Sequence, residues 1–443
     1  MSQDDSPGIQ RLRTRVQAHL DVIYGAKCPR SLPSDVIAAM QYPDEVSEPA
    51  PYQNYWDESD CWMITYATTV RDERSSGLTS LQSFCDQHLA GAINGLHILP
   101  FYPYSSDDGF AVIDYYDVNE DAGTWDDIRS LAGRYRLMAD LVINHVSSQS
   151  EWFQNYISRK DPGKDYFKEA PPEEDLSMVV RPRSTPLRTE VETVDGNRWV
   201  WCTFGPDQVD LDFANPEVLL EFVKIVRHYI DNGIRVLRLD AVAFLWKEVG
   251  TSCLHDQRTH EIIKLFRTLI EFLDPSIMLI TETNVPNRDN LTYFGNSNEA
   301  HAIYNFSLPP LLIHTLLTGN CRHLKTWMMS MPPARGGTTY FNFLASHDGI
   351  GMRPADGLLS EAEKFDLLDT LRGFGGKVSL RTGPDGAQKP YVVYISLIDA
   401  LAGTVVGRDE FQVDRCVCAH AIMLALGGIP GIYIHSLLGT SND

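Results

Sequence analysis

The sequence predicts an α/β protein built on a parallel (β/α)8 TIM barrel, with a long insertion after strand 3 and another after strand 7. Three observations predict it. From about residue 59 onward, short strand-like apolar segments alternate with longer segments of helical spacing. Polar residues recur at the C-terminal ends of the strand-like segments, the rim where barrels gather their chemistry. And 443 residues, 43% hydrophobic and 10% aromatic, are enough chain to bury a large core, a length that fits one barrel with insertions as well as two or three smaller domains.

Taken in order, residues 1–58 read as an N-terminal helical extension. Apolar residues at helical spacing run over 11–24, Gly25 stops them, and a Pro-rich acidic connection follows to about Asn54. Strands are expected at 61–67, 96–100, 137–144, 235–244, 278–283, 303–306, 340–346 and 431–435. Helical spacing predicts helices between them at 125–132, 216–232, 259–273, 310–317 and 415–426. The catalytic barrel then occupies residues 59–146 and 213–443. Residues 147–212, rich in proline, charge and aromatics, form an insertion domain after the third strand, and 349–414 form a loop insertion after the seventh. Insertions this long at strand C-termini usually carry binding function.

Charge and composition exclude several classes. A net charge of −21 argues against a nucleic-acid binder or a protein drawn to anionic membranes, so an anionic substrate would need a local basic patch. The opening MSQDDSPGIQ has no apolar segment behind it, so no signal peptide is expected. The most apolar run, 419–434, is broken by Gly427, Gly428 and Pro430 and reads as a buried helix feeding a strand. The eight cysteines are scattered, with Cys416 and Cys418 the closest pair and no zinc-ligand spacing. Reduced thiols in cytoplasm, and no metal, are the expectation.

The chemistry-bearing ends converge on carboxylates. In RVLRLDAVAF, Arg238 and Asp240 are two apart and leave one face of a strand. An aspartate beside an arginine is expected to keep a low pKa, as a nucleophile toward a sugar carbon requires. Alone, the pair reads equally as a structural ion pair. FYPYSSDDGF after the second strand carries Asp107 and Asp108, DLVINH carries Asp140, Asn144 and His145, ITETN carries Glu282, and FLASHD carries His347 and Asp348. Glu282 ends an apolar run, where desolvation would raise it toward a general acid. Asp348 beside His347 could bind two sugar hydroxyls, whereas Asp140 reads as a tie within the barrel.

DLVINH, RVLRLDAVA, ITETN and FLASHD resemble, in order, the four signature regions of the α-amylase-type glycoside hydrolase superfamily. HILPFYPYSSDDGFAVIDY, FGPDQVDLDF, KEVGTSC and ASHDGIG resemble its sucrose phosphorylase subfamily, and VRPRSTP, ITETNVP, FSLPPLLIH and NFLASHDGIG resemble glucosylglycerate phosphorylases most. The resemblance runs from about Tyr55 to the end, and the count of eight strands leans on it, because periodicity alone does not give eight. It implies Asp240 as nucleophile, Glu282 as acid–base and Asp348 as transition-state stabiliser. It further implies that Asp107, His145, Arg238 and His347 hold glucosyl hydroxyls and that Phe110 is an aromatic wall. Of the two adjacent aspartates it favours Asp107, three before Phe110. The implied reaction is a double displacement that retains configuration and releases α-glucose 1-phosphate, with no metal or organic cofactor. The family continues past the eighth strand with a last barrel helix, an arginine clamping the glucosyl ring and a C-terminal β-domain, which is absent from a chain stopping at Asp443.

Phosphate asks for guanidinium groups. RPRSTPLR, spanning Arg181 to Arg188, holds three arginines in eight residues without an acid. A solvated basic loop would look the same. The resemblance places Arg183, with Arg181 beside it, at the phosphate and acceptor position, and Tyr391 at the phosphate-contacting tyrosine. Two positions depart from sucrose phosphorylases: Asn284 replaces a histidine and Val392 a glutamine. Both border the acceptor site, which points from fructose toward a small anion such as D-glycerate. The partners expected are therefore an α-glucoside, phosphate and a small acceptor. An α-glucoside hydrolase or transglycosylase, and a catalytically dead binding barrel, remain the competing readings.

Overall fold

The structure, a computed structural model, describes residues 6–183, 185–382 and 388–442. Residues 1–5 of the acidic opening, Ser184 of the basic segment, residues 383–387 of the second insertion and Asp443 lie outside the described residues.

Eight parallel strands close into a barrel. In chain order they are β1 (Trp62–Thr65), β2 (Gly95–Ile98), β3 (Arg136–Val142), β4 (Ile234–Asp240), β5 (Met278–Thr281), β6 (Ala302–Tyr304), β7 (Thr339–Phe343) and β8 (Ile429–Tyr433). Each strand pairs with its sequence neighbours, and β8 closes the ring onto β1. Parallel strands covered by helices are buried on both faces. Accordingly β1, β2, β5, β6 and β7 are buried at every position.

At one level of the barrel, small residues flank a large one. Trp62 is paired with Gly95 and Gly431, and a Cβ on Gly95 would lie 2.2 Å from the Trp62 indole. A Cβ on Gly431 would lie 2.5 Å from the Phe341 ring. The two glycines make room for the Trp62 and Phe341 rings.

The covering helices follow from caps and apolar stripes. Pro216–Asp231 starts with Asn215 accepting the Glu217 N–H and with proline in the first turn. Val218, Phe222, Val226 and Tyr229 recur at helical spacing and are buried; each such side chain contributes about 1.5–3 kcal/mol. The N-terminal helix Pro7–Tyr24 does not stand apart. Leu12, Val16 and Leu20 are fully buried, and His19 reaches Glu261 (2.7 Å) and Thr268 (3.0 Å) on the helix Gln257–Leu273.

The fourth strand is shorter than its sequence predicts. It ends at Asp240, where Ala241 turns left-handed (φ 54°) into the single turn Val242–Phe244. The eighth likewise gives way to the helical turn Ile434–Leu438. Apolar composition continues through both turns, so alternation alone does not reveal where the strands stop.

The first insertion contains the helix Glu151–Ser158, the hairpin of Arg188–Thr193 and Gly196–Trp201, and a short strand Gln208–Asp210 paired with His145–Ser147. The second contains the helix Glu361–Gly373 and the antiparallel pair Lys377–Thr382 and Gln388–Tyr394. Among the described residues, no helix is long and apolar enough to cross a membrane, and all eight cysteines are unpaired.

Candidate active site

At the C-terminal end of β4, Arg238 Nη1 donates to Asp240 Oδ1 (2.8 Å) and also to Asp140 Oδ1 on β3. The register explains the meeting, because Asp140 is paired with Arg238 and Val142 with Asp240. His97 Nε2 donates to the other Asp140 oxygen at 2.8 Å, and the Tyr304 hydroxyl faces His97 Nδ1 at 3.3 Å. The Arg238 guanidinium also lies over the Tyr304 ring (5.3 Å) and the Phe110 ring (5.8 Å). Burial pushes Asp140 up, but Arg238 and His97 outweigh it and bring the carboxyl down to about 2.

Burial corrects the expectation of a low pKa for Asp240. Burial lifts its carboxyl well above the ordinary aspartate range. Arg238 pulls against burial, while Glu282, Asp140 and Asp348 add repulsion. Asp140 shares the same guanidinium and also accepts from His97, and the pull of Arg238 on Asp240 falls short of the cost of burial.

Glu282, one residue past β5, accepts the Ala241 N–H at 3.2 Å, which seats its carboxyl beside the residue following Asp240. Burial raises it to about 7, with Asp348 and Asp140 adding to the rise and Arg238 opposing it. Asp240 and Glu282 thus form a buried pair that holds a proton near neutral pH. Arg238 touches Asp240 directly and favours the negative charge there, which leaves the proton on Glu282.

Both carboxyls open onto one cavity of about 310 Å³. Asp348, Asp107, Phe110, His145 and His347 also line it, as do Arg183, Asn284 and Tyr391. Phe110 stacks on His347 with ring centres 4.9 Å apart and planes 8° from parallel. His347 Nε2 lies 3.4 Å from Asp348. His145 Nδ1 faces the Asn144 amide nitrogen at 3.2 Å, and its Nε2 lies 3.0 Å from the Phe110 carbonyl oxygen and 3.2 Å from the Gln208 amide nitrogen. Burial lowers the pKa of both histidines and keeps them neutral.

Two of the expected residues do not reach the cavity. Arg238 is 2% exposed and lies under its floor. Arg181 does not line it, and its Nε and Nη2 are shielded without a hydrogen-bond partner among the described residues. Arg188 is drawn off by the Pro171 carbonyl (2.7 Å) and the Glu174 carbonyl (3.4 Å). Of the three arginines in the basic segment, Arg183 alone is on the cavity wall, with Nη1 3.5 Å from the Tyr394 hydroxyl.

Sequence reasoning missed Gln208, whose Nε2 donates to Asp107 Oδ2 at 2.8 Å, and the wall formed by Phe204, Phe244 and Tyr394. Gln208 lies inside FGPDQVDLDF, so the sequence carried the signal. Asp108 lines the cavity together with Asp107. Among the described residues, no group of three or more His, Cys, Asp or Glu side chains is arranged to hold a metal ion. A nucleophilic carboxylate, a protonated carboxyl beside it and a guanidinium on the wall can together move a glycosyl group between oxygen nucleophiles.

Residues 90–349 match the alpha amylase catalytic domain. Over 437 residues the chain is 43% identical to the glucosylglycerate phosphorylase of Allomeiothermus silvanus, covering 98% of this chain and 77% of that one. It is 42% identical over 434 residues to the glucosylglycerate phosphorylase of Escherichia coli (strain K12), with the same shares covered. The crystal structure of sucrose 6F-phosphate phosphorylase from Thermoanaerobacter thermosaccharolyticum superposes with a TM-score of 0.76 at 26% identity, covering 87% of this chain and 78% of that one.

Proposed function

The chain belongs to the alpha-amylase catalytic-domain family, and from that premise we propose that it is a retaining glycoside phosphorylase acting on 2-O-α-D-glucosyl-D-glycerate. It converts this glucoside and phosphate reversibly to α-D-glucose 1-phosphate and D-glycerate. The supporting observation is Arg183 on the wall of a cavity whose floor holds both Asp240 and Glu282. A hydrolase would need the two carboxyls alone. A phosphorylase needs a cation where the incoming anion must sit.

Asp240 attacks the anomeric carbon while the Glu282 proton passes to the departing glycerate oxygen, which leaves a β-glucosyl ester on Asp240. Glycerate departs, phosphate takes its place against Arg183 and Tyr391, and Glu282 accepts the phosphate proton as the phosphate oxygen attacks. Two inversions give net retention. Asp348 and His347 hold sugar hydroxyls, Asp107 and His145 hold others, and Phe110 packs on the ring. Asn284 borders the acceptor. Arg238 acts from below, by keeping negative charge on Asp240. The reaction draws on no metal or organic cofactor, and a cytoplasmic site fits a substrate pair that includes glucose 1-phosphate.

The test runs the reaction in the synthetic direction, from glucose 1-phosphate with D-glycerate, glycerol, fructose or fructose 6-phosphate as acceptor. Glycerate is expected to release phosphate fastest. A preference for fructose or fructose 6-phosphate would move the assignment to a sucrose or sucrose phosphate phosphorylase. Glucose release independent of phosphate would make the protein a hydrolase.

A further inference from the structure

Asp207 lies outside the cavity yet collects an unusual set of donors. Ser105 Oγ and Ser106 Oγ both donate to its Oδ2 at 2.5 Å, and Ser148 Oγ donates to its Oδ1 at 2.5 Å. The Ser148 N–H donates to its main-chain carbonyl at 2.9 Å. Ser105 also contacts the Ser147 hydroxyl at 2.5 Å. One carboxylate therefore ties the loop after β2 to the loop after β3 and to the returning end of the first insertion.

The loop after β2 needs a tie. Asp107, Asp108 and Gly109 are three successive residues of positive φ (54°, 50° and 108°). Glycine takes that conformation freely and is required at 109, where a Cβ would lie 2.8 Å from the Pro100 Cβ. Two aspartates take it at a cost, and such strain persists only where the surroundings over-determine it. The carboxylate clamp grips Ser105 and Ser106, immediately before the strained residues. It also immediately precedes Gln208, which bonds Asp107.

We propose that Asp207 is a positioning residue of the glucosyl subsite: its carboxylate, bound by three serine hydroxyls, holds the left-handed turn that presents Asp107 to the cavity. This rests on reading the cavity as the glucosyl site. The turn after β2 carries both Asp107 and Phe110, so its loss loosens the grip on the sugar and leaves the phosphate wall at Arg183 and Tyr391 in place.

The experiment compares wild type with Asp207→Ala and with the milder double variant Ser105→Ala/Ser106→Ala. Asp207→Ala is expected to raise the KM for glucosylglycerate by about tenfold, the double variant by less, with the KM for phosphate within about twofold of wild type. A purely structural role would lower the active fraction and leave both KM values alone. That result, or equal rises for the two substrates, would overturn the proposal. A crystal structure of Asp207→Ala gives a readout without turnover: φ still positive at 107 and 108 would overturn the clamp. Failure of wild type itself to use phosphate would instead count against the phosphorylase reading.

Discussion

Replacing Glu282 by glutamine should separate what this carboxyl does for chemistry from what it costs the fold. Its value of about 7 stands above the ordinary 4.5 because burial disfavours the charged form. Between those two values the folded chain keeps a proton that the unfolded chain has released. A raised carboxyl therefore contributes its full stability below 4.5 and loses it as pH climbs through 7. At about 1.4 kcal/mol per pH unit, the loss amounts to about 3 kcal/mol. Glutamine keeps the shape and removes the titration. With an unfolding entropy of about 2.1 cal/mol/K per residue over 443 residues, about 3 kcal/mol corresponds to about 3 °C. Melting curves of both proteins at pH 5 and pH 8, at one scan rate and matched ionic strength, should show Glu282→Gln gaining about 3 °C on wild type between the two pH values. The same variant should lose about 100-fold or more in phosphorolysis, because no proton reaches the departing glycerate oxygen. In wild type the rate should fall as pH rises through 7, where Glu282 loses that proton. A melting difference that ignores pH would refute the argument that this carboxyl is buried and protonated.

Arg183→Ala should raise the KM for phosphate about tenfold or more, the effect of losing a charge-assisted hydrogen bond. The KM for α-glucosyl fluoride, a donor with neither glycerate nor phosphate, should stay close to wild type; equal rises would take Arg183 out of the phosphate site. Asp140→Asn should destabilise the fold by about 3–5 kcal/mol, because Arg238 and His97 lose a buried anionic partner. It should also leave Arg238 to Asp240 alone and move the acidic limb of the pH–rate profile to lower pH; an unmoved limb would mean that the two aspartates do not compete for the arginine. Gly95→Ala sets a methyl group 2.2 Å from the Trp62 indole and should cost about 1–3 kcal/mol, read as a lowered melting temperature. An unchanged melting temperature would show that the barrel floor can shift to admit it.

The sequence by itself determined the alternation of strands and helices, their chain order and the carboxylates at the strand ends, while the count of eight strands leaned on the family resemblance. Those features are local. A strand's period places Arg238 and Asp240 on one face whatever surrounds them, and apolar runs between polar strand ends report burial directly. Three things waited for the tertiary structure. The raised pKa of Asp240 comes first from burial and then from Glu282, Asp140 and Asp348 at other strand ends, with Asp140 bonded to the same guanidinium. The choice among Arg181, Arg183 and Arg188 depends on which backbone carbonyls and which tyrosine happen to pack nearby. The end of β4 depends on one left-handed residue, Ala241, whose apolar side chain reads like its neighbours. Electrostatic energy and packing are sums over partners distant in the chain, and sequence spacing carries no record of which partners will meet.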